Sequence, residues 1–136
     1  MTVVGAARSG IAAAELLARR GADVTLTEKR DAVPEAEPLR HLGVRLELGG
    51  HQTATLTDAD LVVLSPGVPP ELPEVELARG HGVPVIGELE LASRWLSGRI
   101  VAITGTKGKS TTTALTGQIL EAAGYRVTVA ATSARR

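Results

Sequence analysis

Thr2-Val3-Val4-Gly5-Ala6-Ala7-Arg8-Ser9-Gly10 sets the pattern of this chain: a short apolar run, a glycine turn, then a helical segment. Ile11, Ala14, Leu17 and Ala18 recur at three- and four-residue steps, which gives residues 9–20 one apolar helix face, and Gly21 is placed to stop it. Residues 24–28 (Val-Thr-Leu-Thr-Glu) alternate and are rich in β-branched side chains, so the spacing predicts the next strand. The unit then repeats. A short helix is expected over 35–42, weakened by Pro38, and strands over 44–48, 61–64 and 83–86. The run Leu61-Val62-Val63-Leu64 is apolar throughout, as in a strand buried on both faces. A helix with Pro in its first turn is expected over 73–80. Residues 88–96 read as a linking helix, 100–104 as a strand, 110–123 as a helix ended by Gly124, and 127–131 as a last strand. Strands alternating with helices predict an α/β fold with a parallel sheet.

Composition narrows the function. In 136 residues, 43% are apolar and 22% charged, which is the balance of a globular chain. Fifteen basic residues match fifteen acidic ones, and no Lys/Arg run exceeds two, so no polyanion groove is expected. Phe is absent, and Trp95 and Tyr125 stand alone, so there is no aromatic platform for single-stranded nucleic acid. Without cysteine, disulfide frameworks, thiolate metal sites and Cys nucleophiles are excluded. No stretch of about eighteen apolar residues is present to cross a membrane. The first residues show no basic-then-apolar leader, so a cytoplasmic protein is expected. Nothing in the composition fixes the oligomeric state.

A second glycine-rich stretch carries chemistry. Ile100-Val101-Ala102-Ile103-Thr104 runs into Gly105-Thr106-Lys107-Gly108-Lys109-Ser110-Thr111, which opens a helix. Glycines let successive N–H groups face phosphate oxygens, and the helix N-terminus adds partial positive charge. Lys109 is placed to bridge the β- and γ-phosphates of ATP, and the Ser110 hydroxyl to ligate Mg²⁺. The general pattern wants Gly where Ile103 stands, so this is a shortened variant. Only Lys29, Lys107 and Lys109 are lysines, against twelve arginines, and two of the three lie in this loop, where a compact ammonium suits phosphate.

The first turn is nearly a dinucleotide fingerprint. Glu28 ends the strand after it, but Ala7 replaces the middle glycine that lets backbone approach a pyrophosphate. That methyl argues against NAD or FAD in the usual pose. A nucleoside diphosphate held another way, or a purely structural turn, remains open.

Gly-Thr-x-Gly-Lys-Ser-Thr after Val-Ala-Ile-Thr resembles the ATP loop of the Mur ligases, with folylpolyglutamate synthetase as a relative. Many members carry Asn at the position of Lys107. The chain most resembles the branch that adds D-glutamate, in which a Rossmann-like domain precedes the ATP loop. There the resemblance implies that Ala7, Arg8, Ser9 and Gly10, with Glu28-Lys29-Arg30 and Ser65-Pro66-Gly67, hold the substrate UDP-N-acetylmuramoyl-L-alanine. Glu28 stands where Asp is common. The resemblance implies ATP as co-substrate, Mg²⁺, D-glutamate as the incoming amine, an acyl phosphate, and a place in peptidoglycan precursor synthesis. No nucleic-acid or membrane partner is implied. After Val127-Thr128-Val129 the family continues with Gly-Asn-Ile-Gly, whereas residues 130–136 read Ala-Ala-Thr-Ser-Ala-Arg-Arg. The expectation is therefore a small Rossmann-like UDP-sugar domain over 1–87, then the first strand–loop–helix–strand unit of an ATPase domain over 88–136. The chain would be truncated within that unit and inactive alone. The alternatives are an L-alanine-adding Mur ligase, a nicotinamide-dependent oxidoreductase and a non-catalytic nucleotide-binding module.

Other residues carry less. His41, His51 and His81 lack metal-ligand spacing and read as surface or loop residues. Glu74 with Glu76, and Glu88 with Glu90, are two apart and cannot share a helix face. Trp95 reads as interdomain packing.

Overall fold

The computed structural model describes residues 1–130; the remaining tail, 131–136, with the end of the expected last strand, lies outside the described residues. The chain forms two compact units, Met1–Leu96 and Ser97–Arg136.

The first unit is the α/β domain the pattern predicts. Its elements are β1 (Thr2–Val4), α1 (Arg8–Arg19), β2 (Thr25–Glu28), α2 (Ala36–His41), β3 (Arg45–Leu48), α3 (Thr53–Thr57), β4 (Val62–Leu64), α4 (Pro73–Gly80), β5 (Val85–Gly87) and α5 (Glu88–Ser93). The five strands lie in the order β3-β2-β1-β4-β5 and every pairing is parallel. This is the doubly wound arrangement, in which the strand order reverses beside β1. The register aligns Val4 with Thr27 on one side and with Leu64 on the other, so β1 and β4 end level and β2 runs one residue further, to Glu28.

Alternation along the strands builds two cores. Val3, Leu26 and Val63 face one side with Ala14 and Leu17 of α1, Leu39 of α2 and Leu91 of α5. Val4, Val62 and Leu64 face the other with Leu56 of α3 and Val75 and Ala78 of α4. The pleat sends successive side chains to opposite faces, which is why a run such as Val62-Val63-Leu64 is apolar throughout. Leu91, 1% exposed, anchors α5 in the core of this unit. Trp95 lies under the Arg20 guanidinium, 5.1 Å from ring centroid to cation.

Local departures have local causes. Pro38 is the third residue of α2, within the first turn, where an N–H has no helical partner to lose. Helix α3 has no counterpart in the sequence pattern: Thr-Ala-Thr-Leu-Thr is too short and too β-branched to show a helical period. It is held by Leu56, which is fully buried.

The second unit contains α6 (Lys109–Ala122). The sequence led us to expect strands over 100–104 and 127–131. Among the described residues neither segment forms a ladder. A β-branched run prefers extended conformations but becomes a strand only by pairing with a neighbour. Ile100 and Val101 are exposed. The returning chain packs on α6 instead: a Cβ on buried Gly117 would meet Val129 Cγ2 at 2.7 Å.

Candidate functional site

At the carboxyl ends of β1, β2 and β4 the chain makes three turns that meet. Gly5 takes φ +94°, a conformation costly for any residue with a Cβ, and its N–H donates to the Thr27 carbonyl at 2.8 Å. Helix α1 begins three residues later. Gly10, in its first turn, lies so close to the Gly5 carbonyl that a Cβ would sit 2.0 Å from that oxygen and 2.2 Å from Ser65 Oγ. Ser65, 2% exposed, donates its hydroxyl to the same Gly5 carbonyl at 2.9 Å. The first glycine turn and the Ser65-Pro66-Gly67 turn are thus fastened at the point where the strand order reverses.

The end of β2 fastens the turn from the other side. The Ala6 N–H donates to Glu28 Oε2 at 2.7 Å, and Arg30 Nη2 donates to the Ala6 carbonyl at 2.9 Å. Arg30 Nη2 also lies 3.3 Å from Glu28 Oε2, and the Arg30 N–H donates to Glu28 Oε1 at 3.2 Å. Partial burial pushes the Glu28 carboxyl up. The Ala6 N–H, the Arg30 guanidinium and the Arg30 N–H outweigh it, and the net displacement is below the ordinary carboxylate value. Glu28 is therefore a carboxylate near neutral pH, clasping the peptide that introduces α1. Ala7 at the α1 N-terminus offers no side-chain cap, and the first turn holds no acid, so the first N–H groups of the helix have no side-chain partner.

A cleft of about 200 Å³ lies among these turns. It brings together Gly5, Ala7, Glu28, Lys29, Arg30, Ser65 and Gly67, with Val68, Pro69 and Leu72 as its apolar wall. Of the other residues expected here, Gly10 is buried behind the turn, Ser9 is half-buried, and Arg8 and Pro66 are exposed beside it; none of the four lines the cleft. A larger cavity of about 490 Å³ opens at the opposite ends of the strands, between Asp23, Arg45 and Asp58. Open α/β sheets bind ligands at the carboxyl ends of their strands, where helix N-termini point, so the smaller cleft is the candidate site.

His51 also lines this cleft. Read from sequence as a surface or loop residue, it is half-buried, and its Nδ1 lies 2.8 Å from the Oγ1 of fully buried Thr27. Burial, then the Lys29 charge, lowers its pKa; Glu74 and Glu28 oppose the shift without reversing it. The signal was the Gly49-Gly50 pair before it, which curls the chain back so that Gly50 bridges to Glu28.

In the second unit, Gly105 at φ +152° and Gly108 at φ +76° turn the backbone into the start of α6. Gly108 is the N-cap, with no side-chain cap and no acid in the first turn. Gly105, Thr106, Lys107, Gly108, Lys109, Ser110 and Thr111 are all exposed. The Lys109 ammonium donates to the Gly105 carbonyl, which closes the loop on itself. Uncapped N–H groups, a lysine and a free-standing hydroxyl fit a polyphosphate. Among the described residues no cluster of His, Asp or Glu could hold a metal. Nor is any helix there long and apolar enough to cross a membrane.

The first unit is a doubly wound parallel sheet with a fastened glycine turn, and an uncapped lysine loop follows it in sequence. Residues 1–87 match the family described as Mur ligase MurD-like, N-terminal domain, and the chain belongs to that family. It is 58% identical over 123 residues to the UDP-N-acetylmuramoylalanine--D-glutamate ligase of Anaeromyxobacter dehalogenans, covering 88% of this chain and 27% of that protein. It is 53% identical over 130 residues to the ligase of the same name from Geobacter metallireducens, covering 93% and 29%. Among solved structures it resembles a murein peptide ligase from Psychrobacter arcticus (28% identity, TM-score 0.64, covering 90% of this chain and 26% of that one). It also resembles the UDP-N-acetylmuramate-alanine ligase of Thermotoga maritima (30% identity, TM-score 0.58, covering 88% and 28%). The chain thus spans less than a third of the length of the relatives it matches.

Proposed function

We propose that this chain is the nucleotide-sugar-binding and ATP-loop portion of a ligase that adds D-glutamate to UDP-N-acetylmuramoyl-L-alanine, in cytoplasmic peptidoglycan precursor synthesis. The observation that carries the reading is the cleft: turns from three separate segments converge at the reversal point of the sheet, beside an uncapped helix N-terminus. The names of the 58% and 53% identical relatives support the choice of amino acid.

In this reading residues 1–87 hold the uridine diphosphate sugar and 88–136 open the ATP-binding part. Ala7 in the cleft, with the N–H groups of Arg8, Ser9 and Gly10 in the adjoining first turn of α1, meets the diphosphate; Glu28, Lys29 and Arg30 meet the nucleoside; Ser65 and Gly67 line the cleft, with Pro66 beside it. Gly105 to Thr111 cradle the phosphates of ATP through backbone N–H groups, and Lys109 leaves the Gly105 carbonyl to offset charge on the transferring phosphoryl group. Ser110 would be a ligand to Mg²⁺, which would neutralise phosphate charge when bound. The substrate carboxylate takes the γ-phosphoryl group and ADP leaves. The D-glutamate amine then displaces phosphate from the acyl phosphate and forms the amide. Among the described residues no cluster of His, Asp or Glu completes a metal site.

The test is calorimetric titration of the chain with UDP-N-acetylmuramoyl-L-alanine, ATP and NAD. The nucleotide sugar is expected to bind and NAD not to compete. Lys109→Ala is expected to lower ATP affinity by about tenfold or more, since a hydrogen bond from a charged group is worth about 1.5–3 kcal/mol. NAD displacing the nucleotide sugar, or unchanged ATP affinity in the Lys109→Ala variant, contradicts the reading.

A further inference from the structure

His51 is the one titratable side chain of the cleft that the sequence pattern does not explain, and its hydrogen bonds fix how it presents itself. Thr27 Oγ1 lies 3.0 Å from the Gly50 carbonyl and 2.8 Å from His51 Nδ1. A hydroxyl has one proton, and a carbonyl can only accept. Both contacts are satisfied together when Thr27 donates to Gly50 and His51 Nδ1–H donates to Thr27. The tautomer follows: in the neutral ring, Nε2 carries the lone pair. Thr27 is 0% exposed, and its strand is in register with β1 and β3, so the anchor is rigid. Nε2 has no hydrogen-bond partner among the described residues, and His51 lines the cleft.

The charged groups around the ring are Lys29 and Glu28 from the end of β2 and Glu74 from α4. Burial and the lysine prevail over the two carboxylates, so the ring is neutral at pH 7. A neutral acceptor is rare in this cleft. Glu28 is a charged carboxylate held by Ala6 and Arg30, and the Ser65 hydroxyl is turned to Gly5.

We propose that His51, oriented by Thr27, is a ligand-binding residue of this cleft whose Nε2 accepts a hydrogen bond from a neutral donor of the bound nucleoside, a base N–H or a ribose O–H. The inference rests on the nucleotide-sugar reading of the cleft and adds to it a specificity contact. It assigns Thr27 as the positioning residue. It also gives a sign. Protonating Nε2 converts the acceptor into a donor, so binding weakens as pH falls. A histidine serving as a phosphate contact would strengthen binding under the same change.

The experiment measures UDP binding to the chain and to His51→Asn from pH 8 to pH 5. Asn can keep the anchor, because its amide reaches the place of Nδ1, but has nothing at Nε2. The affinity ratio of wild type to variant cancels titration of the UDP phosphate, which both share. The expected ratio is about tenfold at pH 8, falling toward one as pH drops through the His51 pKa. N3-methyl-UDP and 2′-deoxy-UDP separate the two donors: the analogue lacking the donor should bind wild type and variant alike. Thr27→Val should lose part of the effect while keeping its pH dependence. Thermal unfolding of each variant shows that the fold is intact. A ratio of one at pH 8, or a ratio that grows as pH falls, overturns the assignment of His51 while leaving the cleft as the UDP site. Failure of the wild type to bind UDP at all overturns both.

Discussion

Gly10→Ala is the sharpest perturbation of the fastened turn, because the added methyl has nowhere to go. Its Cβ would lie 2.0 Å from the Gly5 carbonyl oxygen and 2.2 Å from Ser65 Oγ, where real Cβ atoms essentially never come within 3.0 Å. Helix α1 and the Gly5 peptide must therefore separate by about 1 Å. Neither neighbour is the yielding end of a long side chain: one is backbone and the other a buried hydroxyl. The shift breaks the 2.9 Å bond from Ser65 to Gly5. Stranding that buried pair costs about 1–3 kcal/mol, and overpacking costs about 1–3 kcal/mol more. One displacement causes both, so they overlap, and about 3 kcal/mol is expected. For a unit of this size each kcal/mol lowers the melting temperature by about 4–8 °C, so the midpoint should fall by more than about 10 °C. Circular dichroism melts read it directly. Gly67→Ala is the control: nothing lies within 4 Å of its Cβ, and it should stay within about 0.5 kcal/mol of wild type. If the two variants melt together, the close approach of Gly10 to Gly5 and Ser65 is not what holds the turn.

Two further outcomes follow from the same packing and charges. Leu91→Ala should cost about 2–5 kcal/mol in urea unfolding, as for a buried leucine, and Leu96→Ala, 62% exposed, under about 0.5; equal costs would mean that α5 is not part of the first unit's core. Glu28 has a lowered folded pKa, so the stability it confers is present above the ordinary value of 4.5 and is lost as pH falls through the folded value. Glu28→Gln should remove that loss, and parallel urea midpoints for the two proteins between pH 5 and pH 3 would contradict the clasp on Ala6.

Most of the first unit was legible because its signals are local. Gly5 and Gly10 mark a turn only glycine can make, and Val3 and Val4 face opposite cores, as strand periodicity requires. Convergence of Gly5, Glu28 and Ser65 could be expected because all three end strands of one parallel sheet. His51 was hidden because its role depends on Gly49 and Gly50 folding the chain back onto β2, a long-range event that leaves no period in the sequence. Helix α3 was hidden for a similar reason, since Leu56 stabilises it through contacts with β4 and α4 and not through its own composition. The segments 100–104 and 127–130 mislead in the opposite direction: their β-branched residues have strand propensity, but pairing is a property of neighbours.

The account stands most directly on where a uridine nucleotide binds. A backbone-amide NMR titration of the chain with UDP-N-acetylmuramoyl-L-alanine reports that position residue by residue. The predicted result is saturable shifts at Ala6, Ala7, Arg8, Lys29, Arg30, His51 and Gly67, around the cleft at the carboxyl ends of the strands. Shifts confined to Asp23, Arg45 and Asp58, around the larger cavity at the other end of the sheet, would contradict it.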